Sequence, residues 1–154
     1  IIVDAVLPKS EAEVRDIWNI REEFEAVLEH QPNYLYDVSL PIREMPAYVD
    51  AVYRRVESRW PDGKAFTLGH VADGNLHFFI SPGEEGDLHD AVNECVYDPL
   101  QPIGGSVSAE HGIGLEKRRW LPHSRSQADI ALMRALKRTL DPNGILNPER
   151  VLPK

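Results

Sequence analysis

Residues 65–80 read AFTLGHVADGNLHFFI, two short runs of apolar and β-branched side chains either side of Asp73-Gly74. Runs of this length bounded by turn residues form strands, and Asp-Gly is a favoured centre for a type I′ hairpin. The reading is a strand over 65–71, a tight turn and a second strand over 75–80 that Ser81-Pro82-Gly83 stops. It commits the chain to an antiparallel sheet. With Asp73 and Gly74 at the centre, Ala72 faces Asn75, Val71 faces Leu76 and His70 faces His77. Opposed residues hold their Cβ atoms about 4.5–5.5 Å apart, a spacing at which two imidazoles can converge on one ion with bonds of about 2.0–2.1 Å. Two partly buried histidines bonded to backbone would read the same way, and the spacing leaves both open.

Outward from the hairpin, Ser10 followed by Glu13 is a capping-box signature. Val14, Ile17, Phe24 and Leu28 recur behind it at helical spacing, predicting a helix over about 10–29. Residues 34–40 read as a strand. Between the Pro41/Pro46 break and Pro61-Asp62-Gly63, the residues Tyr48, Val49, Val52, Tyr53, Val56 and Trp60 describe a second amphipathic helix. A third helix is expected over about 88–100 on Val92, Cys95 and Val96, a short strand over 105–109, and a last helix over about 126–140 before the Asp141-Pro142-Asn143-Gly144 turn. The order α, β, α, β, β, α, β, α predicts an α+β sandwich, a mainly antiparallel sheet with helices packed on one face.

The 154 residues suffice for one domain with its own core, and 42% hydrophobic with 27% charged residues is an ordinary globular balance. A formal charge of −8 argues against nucleic-acid or anionic-membrane surfaces, whose affinity comes from clustered Lys and Arg. Small ligands or proteins are the expected partners, and a homodimer stays open. The single Cys95 forms no internal disulfide and reads as a small apolar helix residue. Ile1-Ile2-Val3 has no initiator Met and no signal-peptide profile, so the sequence reads as a fragment of a longer chain, with a cytoplasmic setting expected and no membrane span.

Glu110-His111 ends the expected strand over 105–109, framed by Gly104-Gly105 and by Gly112 and Gly114. Glu110 would give the two histidines a carboxylate partner, and two His with one carboxylate leave a metal with open positions. Neighbours on a strand point opposite ways, so Glu110 and His111 serve one site only if the strand has ended between them. A glycine-rich loop with surface charges is the alternative. Arg21 occupies the middle of the first helix's apolar stripe. A guanidinium there calls for a carboxylate partner, either an internal acid or a substrate, unless its stem reaches water. Lys117-Arg118-Arg119 reads as a solvated helix face, and Tyr48, Tyr53 and Trp60 as core.

GHVADGNLHFF, GGSVSAEHGIG with Lys117 close behind, and the ending LDPNGILNPERVLP resemble in order and spacing the C-terminal domain of FAD-linked oxidases of the vanillyl-alcohol-oxidase type. The nearest likeness is to the D-2-hydroxyglutarate and D-lactate dehydrogenases and the glycolate oxidase flavin subunit. IREEFE and YLYDVSLP extend it over nearly the whole chain. The resemblance implies a ferredoxin-like substrate-side domain preceded in the same polypeptide by an FAD-binding domain, of which no dinucleotide fingerprint is seen here. By matched motif it gives His70, His77 and Glu110 as metal ligands and His111 as general base. It also gives Arg21 as the clamp on a substrate carboxylate and Asn147 as a residue near the flavin.

Two positions depart from the hydroxyglutarate pattern. Leu35 stands where those enzymes carry a lysine for the distal carboxylate, and Phe79 where they carry a substrate-binding asparagine. Both changes favour a monocarboxylate such as D-lactate or a longer D-2-hydroxy acid. The implied reaction oxidises a 2-hydroxy acid to the 2-oxo acid, with a divalent metal, zinc by default, and FAD as cofactors. Two rivals remain at this stage: a non-haem metal oxygenase using the same two-His-one-carboxylate set, and a non-catalytic metal-binding or subunit-contact module.

Overall fold

The computed structural model describes residues 4–23 and 25–153, so Phe24 of the first expected helix lies outside the described residues. In chain order the elements are α1 (Glu11–Glu22), α2 (Glu25–Leu28), β1 (Tyr34–Ser39), α3 (Met45–Arg59), β2 (Lys64–His70), β3 (Asn75–Ser81), α4 (His89–Tyr97) and α5 (Gln127–Leu140). Short 3₁₀ turns lie at Ile42–Glu44, Val71–Asp73, Asp98–Ile103 and Arg118–His123. Ser10 caps α1 by accepting the Glu13 N–H, and Ser126 caps α5 in a reciprocal box with Asp129. Among the described residues no helix is long and apolar enough to cross a membrane.

The sheet has the order β1-β3-β2, antiparallel throughout. β1 and β2 thus run parallel on either side of β3, joined by α3, the split βαβ unit of ferredoxin-like folds. The segment after α4 returns beside β1 through one antiparallel bridge, Ser39 with Ser106. The expected α+β architecture holds, while the strand predicted over 105–109 shrinks to that bridge. Its backbone N–H groups are drawn elsewhere, as the site shows.

One sheet face carries Tyr36, Val38, Leu76, Phe78 and Ile80, all buried against Tyr48, Val52 and Val56 of α3 and Val92 and Val96 of α4. Fully burying such a side chain contributes about 1.5–3 kcal/mol. Two tyrosine hydroxyls inside the core are satisfied: that of Tyr48 donates to the Val96 carbonyl at 2.8 Å and that of Tyr36 to Asn93 Oδ1 at 2.9 Å. Cys95 and Trp60 are buried as expected.

The other face carries Leu35, Asp37, Phe66, Leu68, His70, Asn75, His77 and Phe79, and here the hairpin departs from its expected register. His70 pairs with Asn75 and Leu68 with His77, because Val71–Asp73 form a 3₁₀ turn closed by Gly74 in the left-handed region at φ 69°. Gly74 is pressed against β1's end: its carbonyl accepts the Leu40 N–H at 2.9 Å, and a Cβ would lie 2.2 Å from the Leu40 oxygen. That docking makes a longer loop than the two-residue turn. The pairing moves by two residues, an even number, so both histidines keep the same face.

Candidate active site

His70 and His77 are diagonal neighbours instead of directly opposed, yet their rings stand edge to face with centroids 5.8 Å apart. Glu110 reaches the pair from the 108–112 segment, with Oε1 3.6 Å from His70 Nε2. Asn75, at the start of β3, donates to the same Oε1 at 2.6 Å and so fixes the carboxylate. One ligand atom from each of His70, His77 and Glu110 falls within 4.8 Å of the others. This is the donor set of a borderline cation with positions left open, and it fits zinc by chemistry. His111 stacks on His77 with centroids 5.7 Å apart, so the expected base joins the same cluster.

The way Glu110 and His111 come to share one site was missed by sequence reasoning. Asp37, fully buried on β1 and directly across from His77, accepts the N–H groups of Ala109, Glu110 and His111 at 3.0, 2.9 and 2.9 Å. The Ser108 hydroxyl adds a bond at 3.1 Å. Consecutive amides converging on one anion form a nest, not a strand. Burial raises the Asp37 carboxyl, but the His111 and Glu110 amides, the Lys117 ammonium and Ser108 outweigh it and hold it below its ordinary value.

Lys117 is no solvated helix residue. Its side chain is 11% exposed, with Nζ 3.7 Å from Asp37 Oδ2 and donating to the Asp37 carbonyl at 3.3 Å. Burial lowers its pKa against the opposing pull of Asp37. The 3₁₀ turn over Arg118–His123 instead sends Arg118 to the Glu149 carbonyl and Arg119 to Asp90. The only signal for Asp37 was a lone carboxylate inside the apolar run YLYDVSL. Asp37, His77 and His111 also come within 4.8 Å of one another. The Asp37 charge is already balanced by Lys117 and its Oδ2 is crowded with donors, so the outer triad is the better cation site.

Arg21 is not buried. Among the described residues α1 buries none, and Val14, Ile17, Trp18 and Ile20 are exposed with it. The guanidinium pairs with Glu22 and lies over the Trp18 ring, 5.2 Å from its centroid. It nevertheless lines a cavity of about 290 Å³ with Leu68, Gly69 and His70, which puts it on the His70 side of the cluster. Leu35 and Phe79 are direct cross-strand partners, and Phe66 flanks Phe79 on the far side, so an apolar row runs next to His77. Asn147, at φ 46°, lies in the tail against α5, on a cavity of about 310 Å³ with Met133 and Lys137. The tail returns to the site loop where the Val151 N–H donates to the Gly114 carbonyl at 2.7 Å.

Comparison with known proteins finds relatives along nearly the whole chain. The chain is 35% identical over 97% of its length to D-2-hydroxyglutarate dehydrogenase of Stutzerimonas stutzeri (strain A1501), of which it covers 34%. It is 36% identical over 99% to the mitochondrial D-2-hydroxyglutarate dehydrogenase of Danio rerio, covering 29% of that protein. To the D-2-hydroxyglutarate–pyruvate transhydrogenase of Saccharomyces cerevisiae it is 32% identical over 99%, covering 32%. The chain therefore spans about a third of the length of these curated relatives. Residues 1–151 match the family model of FAD linked oxidases, C-terminal domain, and the chain belongs to that family.

Proposed function

We propose that this chain is the substrate- and metal-binding domain of a flavin-dependent D-2-hydroxy acid dehydrogenase, working with an FAD-binding domain of the same parent polypeptide. The observation that carries the reading is the convergence of His70, His77 and Glu110, with His111 stacked alongside and Arg21 lining the adjoining cavity. In this reading His70, His77 and Glu110 hold a divalent cation, zinc by donor type, which when bound polarises the C2 hydroxyl. Arg21 receives the substrate carboxylate in its planar fork. His111 takes the hydroxyl proton, a task suited to an imidazole near neutral pH. When bound, the flavin of the family would supply the acceptor for the hydride lost from C2, and by the family resemblance Asn147 would be the residue of this chain near it.

The relatives are named for D-2-hydroxyglutarate, but Leu35, Phe79 and Phe66 form an apolar row beside His77 whose own side chains bring no charge to a second carboxylate. A substrate with a small or apolar substituent, such as D-lactate or a longer D-2-hydroxy monocarboxylate, leaves no charge unpaired there. The test is to produce the parent protein with its flavin and follow bleaching by a panel of D-2-hydroxy acids, with and without chelator. Reduction by monocarboxylates that a chelator abolishes is the expected result. A flavin that no acid on the panel bleaches sinks the proposal, and oxygen uptake with ferrous iron instead would transfer the site to an oxygenase.

A further inference from the structure

We propose that Asp37 is the positioning residue of this site: its buried carboxylate gathers the N–H groups of Ala109, Glu110 and His111 and so turns Glu110 and His111 toward one centre. The inference rests on the preceding reading of the site but concerns a residue that touches neither substrate nor ion. Consecutive residues in extended backbone project to opposite sides, so a metal carboxylate and a base at adjacent positions cannot serve one site unless the chain turns there. The chain turns around Asp37, whose Oδ2 lies within 3.1 Å of donors from four successive residues, 108 to 111.

The carboxylate is placed to set both halves of the cluster. Asp37 sits on β1 directly across from His77, so the strand that presents one histidine also anchors the loop that presents Glu110. Oδ1 accepts a shared N–H from Glu110 at 3.1 Å, and a carboxylate oxygen of Asp37 lies within 4.8 Å of a ring nitrogen of His77 and of His111. A carboxylate behind a ligating imidazole fixes ring orientation. Lys117 faces the carboxylate from below, its Nζ 3.7 Å from Oδ2 and its side chain mostly enclosed. An ordinary buried carboxylate held only for stability would have no need to face the site loop.

Asp37→Asn tests this, because an amide nitrogen confronts the three backbone donors or the imidazoles with another donor. The experiment loads cobalt(II) into the flavin-containing parent protein and reads affinity and the visible band beyond the flavin absorption. Tyr36→Phe is the control: one residue earlier, core-facing, bonded to Asn93 and remote from the cluster. The expected result is a loss of cobalt affinity of about 10–100-fold with a shifted band in Asp37→Asn. A kcat that falls more than KM rises should accompany it. Tyr36→Phe should lower Tm while leaving cobalt binding as in wild type. A folded Asp37→Asn protein with wild-type cobalt affinity and band overturns the inference and leaves the dehydrogenase reading intact. Should that variant fail to fold, Ser108→Ala decides. It removes one donor from the same carboxylate, and an unchanged band and affinity overturn the inference equally. Wild-type protein that takes up cobalt but is reduced by no 2-hydroxy acid removes the reaction and leaves Asp37 to the cobalt comparison. Wild-type protein that takes up none overturns both.

Discussion

Leu35 and Phe79 face each other across β1 and β3, two residues along their strands from Asp37 and His77. Under the proposed reading, their positions would make substrate choice a matter of two side chains. Leu35→Lys combined with Phe79→Asn supplies a cation and an amide beside the cluster, and a site that pairs a polar group discriminates far better than an apolar one. The double variant is expected to raise kcat/KM for D-2-hydroxyglutarate relative to D-lactate by about 10-fold or more, measured by flavin reduction with both acids. An unchanged ratio would detach these residues from specificity. At Glu110 the change to Gln keeps size and the Asn75 contact but removes the ligand charge. Bound zinc per flavin, read by metal analysis after dialysis, should fall to roughly a tenth or less.

At the level of elements, α3 and α4 were legible, the hairpin only half so, and the helix expected over about 10–29 divides into α1 and α2. The stripes of α3 and α4 are buried where apolar periodicity placed them. Phe78 at the centre of β3 has no exposure, and Phe78→Ala is expected to cost about 3–5 kcal/mol in a denaturant titration. The hairpin strands were legible from their composition, but the turn was not, because Gly74 answers to Leu40 on another strand. The stripe of α1 failed differently. Its spacing is helical, but nothing in the described chain covers it.

The turn after α5 has its own carboxylate, Asp141, which accepts from Lys137 Nζ at 2.5 Å and from the N–H groups of Ile145 and Leu146 at 3.0 Å each. Its pKa lies below the ordinary value, chiefly through Lys137, with the two amides helping against desolvation. A carboxyl depressed by folding stabilises the fold fully above its ordinary value and stops doing so as pH falls through the depressed one. Asp141→Asn should therefore lower Tm at neutral pH, and its gap from wild type should narrow below about pH 4. A gap that stays constant through acid would count against the ion pair.

For the whole molecule, a cation held by β2, β3 and the 108–111 segment would tie together residues distant in sequence. Binding to the folded state alone stabilises it by mass action, about 2.7 kcal/mol when free zinc is 100-fold above Kd. Thermal denaturation should shift upward with zinc and return with chelator, and His77→Ala should melt independently of both. A wild-type melting curve indifferent to zinc would argue that the triad holds no ion.

Residue types and periodicities, local properties of the chain, determined the α+β class, the buried stripes of α3 and α4, and the candidates His70, His77, Glu110 and His111. Only the tertiary structure decided the hairpin's pairing, the exposure of Arg21 and the nest that Asp37 and Lys117 build under the site. Each of these depends on groups far apart along the polypeptide, such as Asp37 and the amides 72 to 74 residues away. Side-chain spacing records which face a residue occupies, while hydrogen bonds and charges between distant segments exist only once packing has brought those segments together.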